Sequence, residues 1–98
     1  MTDTTKKAAL VLRAVNHKLR QQVITYLRQH PGTNVTALYV HFRLEQSIAS
    51  QHLAILRRQG LVTATRRGKQ ILYSVNEIRL QEVQQLAAAM IGAKPVAA

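Results

Sequence analysis

The chain has 98 residues, which is enough for one small domain but not for two separate hydrophobic cores. Its 47% hydrophobic and 18% charged residues are typical of a folded chain and exclude a largely disordered one. The 14 Lys and Arg against 4 Asp and Glu give a formal net charge of +10, so we expect an anionic partner, with nucleic acid as the leading candidate.

Several other classes of protein are excluded by what the sequence lacks. No stretch approaches the ~18 consecutive apolar residues of a membrane-spanning helix. The apolar run at residues 8–12 is interrupted by Arg13 and is too short for a secretion signal, so we predict a cytoplasmic protein without membrane contact. The absence of cysteine excludes disulfides, thiolate metal ligands and thiol redox sensing, because each requires a sulfur atom.

The first half of the chain predicts three helices. Residues 6–15 form a helix with apolar side chains around most of its circumference, more than one domain is expected to cover. Asn16 is predicted to cap a second helix, residues 18–29, which ends before Pro31 because proline cannot continue a helix. Asn34 is predicted to cap a short third helix, residues 35–42.

A fourth helix is predicted from Gln46 to the residues before Gly60, since glycine readily adopts the left-handed backbone that ends a helix. A short connection, residues 43–45, separates it from the third helix, and this spacing indicates a helix-turn-helix pair. Its apolar residues fall mostly on one side and are expected to face the core: Ile48, Leu53, Ile55 and Leu56.

Two strands, residues 61–65 and 70–75, follow the fourth helix and are rich in β-branched and apolar side chains. The four residues between them, Arg-Arg-Gly-Lys, predict a hairpin turn with glycine at its tip. A last helix begins at Glu77 and ends before Gly92. We therefore predict a mainly α fold with a small β-hairpin, ordered as four helices, two strands and a fifth helix.

The predicted domain covers residues 6–92, between a flexible N-terminus at residues 1–5 and a tail at residues 93–98. Within it, the chain resembles the winged helix-turn-helix of the ArsR/SmtB family of repressors. The resemblance spans roughly residues 8 to 91 and rests on motifs in a fixed order. These are AVNHKLRQQVITYL at 14–27, SQHL at 50–53, LRRQGLV at 56–62, RRGK at 66–69 and Tyr73-Ser74. Two positions depart from the family: Arg43 replaces a glycine, and Glu45 replaces a capping serine or threonine.

The resemblance, together with the charge, implies that the fourth helix is a recognition helix that enters the DNA major groove. Its small or amide-bearing outward residues are the predicted base contacts, since glutamine matches adenine and serine suits several acceptors: Gln46, Ser47, Ser50 and Gln51. The hairpin turn supplies cations for phosphate or minor-groove contact: Arg66, Arg67 and Lys69. An ordinary solvated surface is the alternative interpretation of both sets.

Secondary DNA contacts are predicted at Arg57 and Arg58, in the last turn of the fourth helix, and at His52. For His52 a partly buried, hydrogen-bonded position near the core is an equally good interpretation. Arg20, in the second helix, is expected to support helix packing rather than to contact DNA.

No metal or cofactor is predicted. The resemblance places one family metal site at Asn34 and Thr36, and another at Glu77, Arg79, Met90 and Ala93. Of these only Glu77 is a common metal ligand, and an arginine would repel a cation. The four histidines form no i,i+4 pair on one helix.

The apolar faces of the first and last helices could close an internal core within one chain. The resembling family uses the same two helices as its dimer interface, and their excess apolar surface also favours a homodimer. The residues predicted at the dimer interface are Ala8, Val11, Leu12, Val15, Leu80, Val83, Ala87 and Met90. A two-fold dimer sets two recognition helices about one DNA turn apart on a palindromic operator.

The predicted function is that of a homodimeric, sequence-specific transcriptional regulator, a repressor that occludes its operator and does not sense metal. An enzyme is not expected, because four acidic residues leave little for acid–base chemistry. Two alternatives remain: an architectural DNA-binding protein of low specificity, or a winged-helix module that binds RNA or protein. One Phe and three Tyr give little stacking surface for RNA. No residue pattern points to an effector.

Overall fold

The computed structural model describes residues 3–90, with side chains described from residue 6 to residue 89. The described residues form five helices and a two-stranded antiparallel sheet: α1 (Asp3–Val15), α2 (Lys18–Gln29), α3 (Val35–Phe42), α4 (Gln46–Arg58), β1 (Val62–Arg67), β2 (Gln70–Val75) and α5 (Glu77–Met90). This order confirms the predicted mainly α fold with a hairpin. The helix α1 begins at Asp3, three residues before the predicted start, and the predicted tail lies outside the described residues.

A single core is built from all five helices and the start of the hairpin. Its buried members are Val11, Ala14, Val23, Ile24, Leu27, Leu38, Leu53, Leu56, Leu61, Val62, Leu80 and Val83. Leu27, Leu56 and Leu61 have no exposed surface at all. Burial of each such side chain contributes about 1.5–3 kcal/mol before the entropic cost of ordering is counted. The core therefore fixes α4 and the hairpin relative to the other helices.

The turn between α3 and α4 keeps a glycine-like geometry although it contains no glycine. Arg43 has φ 54° and ψ 48°, in the left-handed region. The Leu44 N–H donates to the Tyr39 carbonyl (2.9 Å) and the Arg43 N–H to the Val40 carbonyl (3.3 Å). This pair of bonds is a common way to end a helix. The left-handed backbone at Arg43 costs about 1–2 kcal/mol in strain.

The end of α4 has the same bond pattern, built on the predicted glycine. Gly60 has φ 75°. Its N–H donates to the Arg57 carbonyl (2.9 Å), and the Leu61 N–H donates to the Leu56 carbonyl (3.0 Å). Arg79 from α5 lies over this turn, with its Cγ 3.7 Å from the position that a Gly60 side chain would occupy. Its Nε donates to the Gln59 carbonyl (3.1 Å), so α5 is attached to the end of α4.

The hairpin is anchored to the connection between α2 and α3. The Tyr73 carbonyl accepts from Gly32 and Thr33 N–H groups (3.0 and 3.1 Å), and the Tyr73 N–H donates back to Thr33 (2.8 Å). The Ser74 Oγ accepts a further bond from the Gly32 N–H (2.9 Å). The Tyr-Ser pair at the end of the hairpin therefore acts structurally, by pairing with a loop 40 or so residues upstream.

Helix caps test the predicted boundaries. Asn34 caps α3 as predicted, since its side chain accepts from the Ala37 N–H (2.8 Å). The prediction for Asn16 is wrong: the cap position of α2 is His17, whose side chain makes no capping bond to the described residues. Asn76, which was not predicted, caps α5 through its Oδ1 and the Arg79 N–H (3.2 Å). No helix within residues 3–90 is long and apolar enough to cross a bilayer.

Three of the residues predicted at the dimer interface lie in the protomer's own core. Val11, Leu80 and Val83 are 1%, 7% and 2% exposed, because α1 and α5 turn these side chains inward against one another. They have almost no surface left to bury against a second chain, and their prediction is corrected accordingly. The half-buried members of the set are Ala8, Leu12, Val15 and Ala87, while the side chain of Met90 lies outside the described residues.

The α1 and α5 helices nevertheless expose other apolar side chains. Leu10 on α1 is 46% exposed, and Ile78 on α5 is 75% exposed. In α4 the predicted inward position of Ile48 is also wrong, since it is 37% exposed and Ala49 takes its place in the core. Helical spacing assigns a face to a side chain but leaves an uncertainty of about one residue at its edges.

Candidate nucleic-acid interface

The outer face of α4 is polar and accessible. Gln46, Ser47, Ser50 and Gln51 are all exposed, whereas Ala49, Leu53 and Leu56 on the opposite face are buried. The core therefore holds the helix by one side and leaves the four predicted base-contacting side chains free to meet a partner. The major groove of DNA is wide enough to admit a helix presented in this way.

The N-terminus of α4 carries Glu45 at its cap position. The Glu45 side chain makes no capping bond to the described residues, although its carbonyl accepts from the Ile48 and Ala49 N–H groups (3.1 Å each). The carboxylate is favourable beside the positive end of the helix dipole. Glu45 is exposed, so its charge lies next to the first predicted base contact, Gln46.

The hairpin turn presents its three cations on different faces. Arg66 pairs with Ile71, and Arg67 with Gln70, so the two arginine side chains point to opposite sides of the sheet. Arg66 bends back over the turn, where its Nε donates to the Gly68 carbonyl (3.2 Å). Arg66, Arg67 and Lys69 are all exposed, and both ion pairs among the described residues use other arginines.

A groove of about 420 Å³ lies between α4 and the hairpin. It brings the predicted base contact Ser50 together with Arg57 and Arg58, which were predicted as secondary contacts. Tyr73 from β2 forms part of its wall, a residue that the sequence analysis used only as a motif position. The groove therefore connects the C-terminal half of α4 to β2, while Arg66, Arg67 and Lys69 lie outside its lining.

His52 is turned away from this surface. Its Nδ1 accepts a hydrogen bond from the Arg20 Nε (3.2 Å), and its ring lies 5.0 Å from that of His17. Burial, followed by the neighbouring His17 and Arg20, lowers the pKa of His52 below its usual 6.5. A neutral ring that accepts a bond from arginine is the expected state. The structure thus corrects the predicted DNA contact and supports the alternative, a partly buried and hydrogen-bonded histidine.

Arg20 has the packing role that the sequence indicated. Besides His52, it binds the end of α1, because its Nη1 donates to the carbonyls of Arg13 (3.2 Å) and Ala14 (3.0 Å). One side chain of α2 therefore connects α1 to the recognition helix. The bond between positions 20 and 52 has no sequence signal, since the two residues are 32 positions apart.

Two of the positions that the resemblance relates to the family's metal sites hold other interactions. Glu77 forms an ion pair with Arg28 (Nε to Oε1, 3.0 Å), which joins α5 to α2. Within the part of the chain that the structure describes, no group of three His, Asp or Glu side chains is close enough to hold a metal ion. Arg79, at a second of these positions, binds the end of α4 and lies 3.8 Å from Glu82.

The amino-acid sequence was compared with protein families and with characterised proteins, and the matches are bacterial regulatory proteins. Residues 17–64 match the family described as "Bacterial regulatory protein, arsR family". The chain is 37% identical over 70 residues to the HTH-type transcriptional regulator YgaV of Escherichia coli (strain K12), covering 71% of each chain. It is 32% identical over 78 residues to the transcriptional repressor PagR of Bacillus anthracis, covering 80% of this chain and 78% of PagR.

The fold is also shared with a solved structure. The winged helix-turn-helix DNA-binding domain of Mb0332 from Mycobacterium bovis, described as homodimeric, superimposes with a TM-score of 0.75 at 23% identity. The match covers 92% of this chain and 87% of that domain. Together with the order of the described helices and strands, this likeness confirms the predicted winged helix-turn-helix fold.

Proposed function

The chain belongs to the arsR family of bacterial regulatory proteins, and we propose that it is a homodimeric repressor that binds a palindromic operator and occludes it. The observation that carries the proposal is the exposure of polar side chains along α4, with two arginines in the groove beside it and three further cations exposed at the hairpin. In this proposal Ser50 and Gln51 contact base edges, and Arg67 and Lys69 contact phosphates. The name of one relative, PagR, describes it as a repressor.

Dimerisation is supported by the apolar side chains that α1 and α5 leave outside the core. Ile78 is 75% exposed, and Ala8, Leu12 and Ala87 are only half-buried in one protomer. A small domain gains stability when such surface is covered. A two-fold axis through these helices gives each half-site one recognition helix.

We propose further that release from the operator does not depend on metal. The chain has no cysteine, and Glu77, the one common metal ligand at the family positions, is paired with Arg28. Occlusion of the operator requires no further activity, and the few acidic side chains favour a regulator without catalytic chemistry.

The test begins with recovery of the bound DNA from cells, which gives a motif and its half-site spacing. A salt titration then compares the recovered duplex with a scrambled duplex of the same length and composition. We expect the recovered duplex to bind about 10³-fold or more tightly than the scrambled one at physiological salt. Equal affinities at every salt concentration would instead favour a low-specificity architectural protein, which the net charge of +10 also suits.

A further inference from the structure

A second cationic site lies behind the recognition helix. A recess of about 190 Å³ between α1, α2 and α4 is lined by one arginine from each helix: Arg13, Arg20 and Arg58. The rest of its wall is formed by Leu10, Ala14, Ile55 and Gln59. We call this site the arginine recess. Neither α1 nor α2 contributed a predicted DNA contact, so the recess shares only Arg58 with the interface described above.

One of the three guanidinium groups is fixed in place. Arg20 uses its Nε for His52 and its Nη1 for two carbonyls of α1. Its Nη2 makes no hydrogen bond to the described residues, and Arg20 lines the recess. A guanidinium that is already ordered loses little entropy when it binds a ligand. The remaining donors of Arg20 are therefore well prepared to bind an anion.

Arg13 and Arg58 lie in the last turns of their helices. Arginine at this position ordinarily interacts with the last carbonyls of its own helix. Here those carbonyls have other donors. In α1 the last four carbonyls accept from the Asn16 N–H, from Arg20 and from the Gln21 side chain. At the end of α4, the carbonyls of residues 55, 56, 57 and 59 accept hydrogen bonds from backbone N–H groups and from Arg79.

Among the described residues that line the recess, none is acidic. Among the described residues the two ion pairs join Arg28 to Glu77 and Arg79 to Glu82, so neither uses an arginine of the recess. Three like charges around one small volume repel one another, and an anion between them removes that repulsion. Guanidinium groups bind tetrahedral oxyanions through paired N–H donors.

We propose that the arginine recess binds an oxyanion of the phosphate class. The phosphate has two possible sources, which share the same chemistry: the DNA backbone or a free phosphate. Arg58 lines both the recess and the groove between α4 and the hairpin, which makes the recess continuous with the proposed DNA surface. Arg20 links the recess to His52 on α4, so an anion bound there acts on the recognition helix. Only the DNA source rests on the proposed function.

The first experiment uses the protein without DNA. Inorganic phosphate is titrated against the wild type and against Arg13→Gln/Arg58→Gln at constant ionic strength, with binding followed by NMR or thermal unfolding. Arg66→Gln/Arg67→Gln, which removes the same charge from the hairpin, is the control. Arg13 and Arg58 are exposed, so the variant is expected to fold. For a free phosphate we expect wild-type affinity in the control and about tenfold weaker binding in the recess variant.

The second experiment measures the salt dependence of binding to a mixed-sequence duplex. Because Arg58 also lines the groove, the recess variant in this experiment is Arg13→Gln alone. If the anion is a DNA phosphate, the slope of log K against log salt becomes shallower in this variant by about 0.9 per lost contact. A changed slope or a selective loss of phosphate binding supports the recess, and the pattern identifies the source.

The proposal is overturned if the recess variant matches the wild type in both experiments. It is overturned equally if the slope is unchanged and phosphate binding weakens as much in the control. A protein that ignores DNA refutes the proposed function, while the phosphate titration still decides this inference.

Discussion

The two ends of the molecule expose different mixtures of side chains. At the end formed by α4 and the hairpin, the exposed side chains are mainly amides, hydroxyls and cations, although Ile48 and Ile71 are also 37% and 45% exposed. At the end formed by α1 and α5, the core is equally full, yet Ile78 and Leu10 remain exposed. Both ends are made of amphipathic helices on one core, so the difference lies only in what is left outside it.

This difference separates two kinds of partner. A polar, cationic surface retains water until a charged partner displaces it, and its binding depends on salt. An exposed apolar surface gains free energy when any complementary apolar surface covers it. We therefore attribute DNA binding to the first end and self-association to the second, and the substitutions below are designed to affect one end without the other.

The largest effect is expected from a substitution at the α1–α5 end. Ala8→Glu/Ile78→Glu places charge on the proposed dimer surface and should convert the protein to a monomer in sedimentation velocity. Affinity for the operator should then fall by roughly 10²- to 10⁴-fold, because the second half-site is no longer tethered. Gln22→Glu/Gln29→Glu, on the exposed side of α2, makes the same charge change as a control. A variant that stays dimeric would remove this surface from the proposal.

At the other end, Ser50→Ala and Gln51→Ala should weaken operator binding by about 1–3 kcal/mol for each lost base contact. Affinity for a scrambled duplex should change little, so the ratio of the two affinities falls. Gln22→Ala, on the exposed side of α2, removes a similar amide away from both the proposed DNA surface and the proposed dimer surface. Full discrimination in the double variant would mean that another face of the protein reads the DNA.

A smaller, sequence-independent effect is expected from the hairpin. Arg66→Ala/Arg67→Ala should weaken binding to every duplex and reduce the salt slope by about 0.9 for each lost phosphate contact. Because Arg66 also bonds to the Gly68 carbonyl, Arg67→Ala alone tests the contact without disturbing the turn. Arg28→Ala serves as the control, since Arg28 is paired with Glu77 between α2 and α5. An unchanged slope would exclude the hairpin from the interface.

The left-handed residues that end α3 and α4, Arg43 and Gly60, can be compared with each other. Arg43→Gly should stabilise the fold by about 0.5–1 kcal/mol, because relief of strain exceeds the added flexibility of the unfolded chain. Gly60→Ala should destabilise it by about 1–2 kcal/mol, since alanine is strained at φ 75°. Urea unfolding measures both changes. Arg43→Gly without any gain in stability would show that the turn relaxes when it contains arginine.

The smallest effect concerns His52. Because its pKa is lowered in the folded protein, the unfolded chain binds a proton more readily, and stability should fall as the pH drops below about 6.5. The stabilising contribution is complete above 6.5 and is lost as the pH falls through the folded-state pKa. Unfolding of the wild type and of His52→Gln, measured at about pH 7 and pH 5, should differ in this dependence. His30→Gln, at the exposed end of α2, is the control.

Much of the fold followed from local chemistry. Hydrophobic spacing located all five helices, and Gly60 and Asn34 marked two of their ends correctly. The Arg-Arg-Gly-Lys stretch located the hairpin. The second strand has its predicted bounds, and the first begins one residue later and ends two residues later than predicted. These features depend on residues close together in the chain, which is why a sequence indicates them.

The errors concern choices between partners in space. Helical spacing gave Val11 and Val83 an apolar face, yet it contained no information on whether that face meets α1, α5 or a second chain. The bond from Arg20 to His52, which turns the histidine inward, joins residues far apart in sequence. Whether the predicted base contacts touch DNA depends equally on a partner outside the chain, and the four residues on α4 remain predictions.

The most direct test of the central proposal is the stoichiometry of the complex with DNA. Sedimentation equilibrium of the protein with its recovered operator duplex measures how many chains bind and whether they associate without DNA. We expect a dimer in free solution and two chains on each palindromic duplex, one recognition helix for each half-site. A single chain that binds the operator with undiminished affinity and specificity would contradict the proposal.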